Sequence, residues 1–548
     1  MPAARSRLLA ALAVLVCLAG AAGSLVRPFT DDEGFERDWC QHLWWTERFA
    51  DPGLFPDDRT AAFLSRPLFS PPGVQAWYRL TVPLVGAETS AEVLSALLVL
   101  ASVALAVRAG RSLSPERPWL CGVLVATLLA VQRLGLSAAM WGLPRSCSLP
   151  LHLLGVVALL ERRAVLLGAT FVLAALLYPP AAVVVGGAAV LAWGPSVLRE
   201  RRLPARWPAL VALGLVAAGL LAWTYREGAA SAEGFGPKVT RAQAEAMEEF
   251  GPDGRSRYFQ PDPVRFWVRS ARSGVSMDLA EALATAAVVL AVALLRRRWW
   301  PPALWGLLGS SLLAFAVAHA TLFALHLPNR YTSVALPLFR ALAGAVLLDR
   351  ALGTLLARRP ALAEPGRLSR GLAVAGTVAV LALGARAADD LVRRAGRGPD
   401  PAFLAARGFL ATLPRDTRVA AHPSDADTVP MKAKRSVLAS WETALPYWLG
   451  YYAGQKERLE ASLDALLATR WEDVDALAAR YGVDVFLVHA RRLAPDARPD
   501  EPAPFRARVE ARRAAARAAG SGFVLADPPA DRILFAQGGW TVVRVGPR

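Results

Sequence analysis

Five carboxylates, Asp31, Asp32, Glu33, Glu36 and Asp38, fall together just after an apolar stretch that ends at Val26. Acids this close repel one another, and hydrocarbon does not tolerate them. The run therefore belongs at an interface or in a polar cavity at the mouth of a membrane bundle. An integral membrane enzyme would keep a general base or a metal ligand in such a place. Asp32 and Glu33 are the candidate catalytic residues, with Asp31 and Asp38 as near competitors. A solvated loop, or the capping of a helix's first turn, is the alternative.

Group transfer at such a site would need a base for the acceptor's proton and cations for an anionic leaving group. Arg133, Arg145, Arg255, Arg257 and Arg330 offer that charge on the acidic side of the topology given below. The stretch His326-Leu327-Pro328-Asn329-Arg330-Tyr331 reads as a compact polar turn between two apolar spans. An Arg held there can grip a phosphate bidentately. His326, Arg330 and Tyr331, with Arg145 and Arg255, are thus the candidate substrate-binding or phosphate-binding residues. The rival for both Arg145 and Arg330 is snorkelling toward lipid headgroups. Glu248, Glu249 and Asp253 read as a solvated loop, and His319, in mid-span, as a satisfied core histidine. Clustered carboxylates with waters could hold Mg²⁺ or Mn²⁺, or act without a metal.

What must position these residues is a membrane bundle. The 548 residues are 54% hydrophobic with a formal net charge of +17, and the mean hydropathy is +0.33. A soluble chain does not need so much apolar surface. The basic excess does not indicate nucleic acid: it lies in short hinges between apolar runs, and no nucleic-acid-binding motif is present. The hinges are Arg108/Arg111/Arg117, Arg162/Arg163, Arg199/Arg201/Arg202/Arg206, Arg296/Arg297/Arg298 and Arg358/Arg359/Arg367/Arg370. Cys40 and Cys147 fall near one face, where a disulfide is conceivable.

Candidate spans are Leu8–Val26, Ser90–Val107, Trp119–Val131, Leu149–Leu160, Ala164–Tyr178, Ala181–Trp193, Pro208–Tyr225, Leu279–Leu295, Ala303–Leu325, Thr332–Leu348 and Gly371–Ala385. Tyr178-Pro179-Pro180 divides one stretch into two short helices meeting at an outer turn; a single broken helix is the alternative. With the N-terminus inside, the dense Arg hinges are all cytoplasmic. The loops 27–89 and 226–278 and the tail then lie outside. Arg5 and Arg7 before the first apolar run also suit a cleavable signal, but its length favours an uncleaved anchor. In the first outer loop, Trp39, Leu43, Trp44 and Phe49 suggest an interfacial helix.

From Asp389 the composition becomes that of a soluble unit. Strands are expected at Val419–Ala421, Val437–Ser440, Val485–His489, Phe523–Leu525 and Trp540–Val545. Helices are expected at Leu445–Thr469, Trp471–Tyr481 and Phe505–Ala519. The fold class is therefore mainly α. A polytopic bundle of about eleven helices occupies 1–388, and an extracytoplasmic α/β domain occupies 389–548.

An Asp-Glu pair just after the first transmembrane helix, followed by an interfacial helix, resembles the GT-C superfamily of membrane glycosyltransferases. That superfamily includes protein O-mannosyltransferases, aminoarabinose transferases and oligosaccharyltransferase catalytic subunits. The matching residues are Asp32 and Glu33. The resemblance implies a first-loop catalytic acid, a polyprenyl-phosphate-linked sugar donor as partner, membrane lipid around the bundle and a place in the plasma (inner) membrane. Asp38, Gln41, His42, Trp45, Arg48, Phe49, Asp51, Pro52, Leu54 and Phe55 are also spaced as in other bacterial multi-pass membrane proteins of this general layout. The rival reading is a non-enzymatic relative or an export component.

Reporter fusions test the topology. Fusions after Arg163, Arg206, Arg298 and Arg370 should report cytoplasm, and those after Asp58, Gly254 and Pro399 the outside. An external Arg298 fusion would mean that the chain does not turn at Tyr178.

Overall fold

A computed structural model describes residues 2–30, 38, 42–201, 203–230, 232–294, 300–325, 327–359, 365–395, 400–494, 497 and 499–546. Each expected span corresponds to a helix. In chain order these are α1 (Pro2–Thr30), α2 (Pro72–Leu113), α3 (Pro118–Val131), α4 (Ser148–Leu160), α5 (Ala164–Leu177), α6 (Pro179–Glu200), α7 (Trp207–Ala230), α8 (Leu279–Leu294), α9 (Pro302–Ala320), α10 (Ala335–Arg358) and α11 (Pro365–Ala395). Among the described residues, 6 helices are long and apolar enough to cross a membrane. α1, α3, α4, α5 and α8 supply shorter apolar stretches.

The break at Tyr178 is a true reversal. A Cβ placed on Gly186 would lie 3.9 Å from the Phe171 ring, so α5 and α6 fold back on each other as a hairpin. Pro179 and Pro180 start α6 without forfeiting a backbone bond, because the first helical N–H groups have no partner anyway. Small residues bring other helices close. A Cβ on Gly306 of α9 would meet the Ala188 carbonyl of α6 at 2.5 Å.

The two ends of the bundle differ chemically. At one end, Arg108 donates to Glu161 through two bonds of 2.8 and 2.7 Å, joining α2 to the end of α4. Arg117 donates to the buried Asp349 of α10 at 2.6 Å. Here the Arg hinges pair with acids of neighbouring helices. At the other end short 3₁₀ turns join the helices, and the one at Trp44–Phe49 meets the C-terminal unit.

The first loop, 27–89, differs from the expected interfacial helix. Trp44–Phe49 forms a short 3₁₀ turn in which Trp44, Trp45, Thr46 and Glu47 are all buried. It packs under other protein because α2 starts at Pro72, earlier than hydropathy suggests, and breaks at Gly86. Gly86 has φ +79°, a left-handed backbone that favours glycine. The break exposes the Ala87 N–H, and Glu47 accepts it at 3.1 Å. The other oxygen of Glu47 takes Lys434 at 2.9 Å.

The C-terminal unit is built on one five-stranded sheet, β1 (Arg418–Ala421), β2 (Ser436–Val437), β3 (Val485–His489), β4 (Ile533–Gln537) and β5 (Trp540–Arg544), in the order β2-β1-β3-β5-β4. β1 runs parallel to β2 and β3, while β5 is antiparallel to β3 and β4. β3 is buried on both faces, with Phe486 and Val488 in one cluster and Val485 and Leu487 in the other. Phe523–Leu525, expected as a strand, lies instead at a 3₁₀ turn, Val524–Ala526. β4 was not expected; it forms a hairpin with β5 through Gly538-Gly539, both at positive φ.

All four lysines of the chain sit where this unit meets the rest. Lys432 pairs with Glu88, Lys434 with Glu47 and Lys456 with Glu249, while Lys238 lies over the Trp448 ring. Glu249, expected in a solvated loop, is buried and also accepts from Tyr452 at 3.0 Å. The loop 226–278 reaches the unit by backbone as well, since Val239 N donates to Tyr447 O at 3.0 Å.

Glu47 is the test of this junction. Glu47→Ala leaves the buried Ala87 N–H unpaired and should cost about 1–3 kcal/mol. Glu47→Gln keeps the acceptor and loses only the charge, so it should cost less. Thermal unfolding in detergent ranks the two.

Candidate functional site

The acids expected to do chemistry divide sharply. Asp32 and Glu33 lie outside the described residues, as do Asp31, Cys40 and His326. Asp38 is described, and its carboxylate is ion-paired with the Arg145 guanidinium. Both side chains are half-buried. Arg145 comes from the 3₁₀ turn Pro144–Cys147, which leads directly into α4. The preceding Gly142 has φ +62°, and its carbonyl accepts the buried Tyr78 hydroxyl at 2.6 Å. That bond ties the turn to α2 and fixes the base from which Arg145 reaches Asp38.

Arg330 comes from a second 3₁₀ turn, Pro328–Tyr331, between α9 and α10. Ser311 of α9 donates to the Tyr331 carbonyl at 2.7 Å and anchors this turn. Tyr331 itself is buried in the bundle core. The Arg330 Nε is buried and has no hydrogen-bond partner among the described residues. Its charge acts on Asp38, on His42 and on Tyr178, at the turn of the α5–α6 hairpin.

The electrostatics of the mouth follow from this crowding of guanidinium groups. Burial pushes the Asp38 carboxyl up, but Arg145, His42 and Arg330 outweigh it and hold Asp38 well below the usual carboxylate range. Burial lowers His42 from its usual 6.5 to about 4, against the pull of Asp38 and with the help of Arg145, Arg330 and Arg255. At neutral pH the mouth thus holds an ionised Asp38 and a neutral His42 imidazole.

Arg255 reaches the same region from the loop 226–278 and pairs with Glu442 of the C-terminal unit at 3.0 Å. Arg133 donates to the Ser276 carbonyl at 2.8 Å and pairs with Glu281 at 3.5 Å. His319 is a satisfied core histidine, as expected. Nε2 donates to the Ser273 carbonyl at 2.8 Å, and Nδ1 therefore accepts from Tyr258 at 2.9 Å. Cys147 is a free, buried thiol.

The described residues bring Asp38, His42, Arg145, Arg255 and Arg330 into one region. They do not gather a divalent-metal ligand set there. The one grouping of three donors among them is His422, Asp500 and Glu501, in the C-terminal unit. The sequence reading passed over His42 and Tyr178 as site residues, because neither stands in a charged run.

No family model matches the chain, and no curated protein matches it. Among solved structures, it is similar to the apo oligosaccharyltransferase of Archaeoglobus fulgidus, with 14% identity over 88% of this chain and 70% of that one, at a TM-score of 0.48. It is similar to AglB from the same organism in complex with an inhibitory peptide and a dolichol-phosphate, with 13% identity over 88% and 69% and a TM-score of 0.44. It is also similar to ArnT from Cupriavidus metallidurans bound to undecaprenyl phosphate, with 16% identity over 99% of both chains and a TM-score of 0.43. Likeness at this level concerns the layout of the chain and assigns no residue.

The pH response of the mouth can be measured. Because folding lowers the His42 pKa, the unfolded chain binds more protons between pH 6.5 and about 4, and stability falls as pH drops through that window. Asp38, depressed on folding, adds to this slope only below about pH 5. His42→Gln should flatten the decline, as read from thermal midpoints across that range.

Proposed function

We propose that this protein is an integral membrane glycosyltransferase that moves a sugar from a polyprenyl-phosphate donor to an extracytoplasmic acceptor. The carrying observation is the buried Nε of Arg330, which has no partner among the described residues, close to the Asp38–Arg145 pair. A guanidinium with an open donor, set among other cations, is a site for an anion. The bundle (1–388) lies in the plasma (inner) membrane with its N-terminus inside, and the C-terminal domain (389–548) covers its outer mouth.

In this reading Arg145 has two partners in turn. Without donor it neutralises Asp38, and a carboxylate so held is a poor base. A lipid phosphate entering the mouth competes for Arg145 and takes up the open donor of Arg330. Asp38 is released to accept the proton of the acceptor. The acceptor then forms a bond to the anomeric carbon as the bond from that carbon to the phosphate oxygen breaks. The phosphate leaves on its lipid with its charge held by the guanidiniums. Asp32 and Glu33 remain alternative bases from the same loop.

A second reading, a non-enzymatic membrane protein, draws on the same ion pair, because an Asp38 permanently held by Arg145 is structural. Turnover with a polyprenyl-phosphate sugar separates the two. Asp38→Asn, or Asp32→Asn if the base lies earlier in the run, should lower the rate by roughly 10²-fold or more with normal amounts of protein in the membrane. Arg330→Lys keeps the charge but loses the planar fork, so it should weaken donor use more than insertion. Full activity in all three variants would favour the structural reading.

A further inference from the structure

The loop between Phe266 and α8 is folded tightly on itself. Ser270 Oγ accepts from the backbone of Arg272 and of Ser273, both at 3.1 Å. Ser273 Oγ returns a bond to the Phe266 carbonyl at 2.9 Å, and Val275 N donates to Trp267 O at 3.0 Å. Ser276 is held at φ +62°, a cost that a non-glycine residue bears only where the surroundings dictate it.

Those surroundings are the Arg330 turn. Ser276 Oγ meets Asn329 Nδ2 at 3.5 Å, one residue before Arg330, and the Asn329 Oδ1 is buried without a partner among the described residues. From the same loop, Arg272 Nη1 donates to the Tyr447 hydroxyl of the C-terminal unit at 3.4 Å. The Tyr447 ring is fixed against Phe250 and Phe323, with centroids 5.5 and 5.2 Å away. The Arg272 charge acts on Arg330. Like charges brought together by independent elements repel unless an anion joins them.

We propose that Arg272 is a third guanidinium of the anion site, and that Tyr447 is its positioning residue. The C-terminal unit thereby takes part in holding the donor's phosphate. This rests on the phosphate-binding reading of Arg330 given above.

The experiment is direct binding to the full-length protein in mixed micelles, with undecaprenyl phosphate and inorganic phosphate as separate probes. Preference for the first identifies a lipid phosphate as the ligand, and equal binding a free one. Arg272→Gln should weaken binding by roughly ten- to a hundredfold, the loss of one charge-assisted hydrogen bond. Arg272→Lys should restore part of it. Tyr447→Phe keeps the packed ring and should weaken binding by roughly two- to fivefold, with no change in thermal midpoint. In the double variant with Arg272→Gln, Tyr447→Phe should add nothing, because it acts through Arg272. Wild-type affinity in Arg272→Gln beside weakened binding in Arg330→Lys would overturn this inference alone. Wild-type affinity in both would overturn the phosphate reading with it.

Discussion

Backbone that is neither helix nor closed sheet survives at membrane depth only where protein or water satisfies it. Arg145 and Arg330 stand on such backbone, the turns at 144–147 and 328–331, and Glu47 stands on a third, at 44–49. Against lipid, their open amides and carbonyls would be costly. At the turn 44–49 the C-terminal unit removes that cost, and Glu47 shows how. It is buried among Trp44, Trp45 and Thr46, caps the amide freed by the break in α2, and takes its own counter-charge from Lys434. Cover and site are therefore one construction.

The bundle was legible because hydrocarbon enforces a simple rule, long apolar runs with Arg at one face. Spans such as Trp119–Val131 and Ala164–Tyr178 match their helices within a residue or two. In the tail, Val485–His489 and Trp471–Tyr481 were legible for a different reason. A strand buried on both faces is a continuous apolar run, and an amphipathic helix carries its own period. Ile533–Gln537 was missed because it pairs only with β5 at the sheet edge, where burial leaves little pattern.

The site was legible in part. The density of carboxylates drew attention to the first loop, and a polar turn between apolar spans to Arg330. What sequence could not supply was pairing: that Asp38 meets Arg145, that Arg255 meets Glu442, and that Glu249 is buried under Tyr452 and Lys456. These partners come from elements far apart in the chain, and only their packing brings them together. The first loop's Trp residues misled for the same reason. Their helical spacing suggests a lipid interface, yet Trp44 and Trp45 are buried inside the molecule.

The distribution of lysine carries one more consequence. Arginine does nearly all the cationic work in this chain, and the four primary amines, at Lys238, Lys432, Lys434 and Lys456, are confined to the seam between the C-terminal unit and the rest. A guanidinium keeps its charge across the biological pH range and is not a target of acylation, whereas an amine is. The seam is thus the one boundary whose positive charge acetyl transfer can erase, leaving the Arg hinges and the guanidiniums of the mouth untouched.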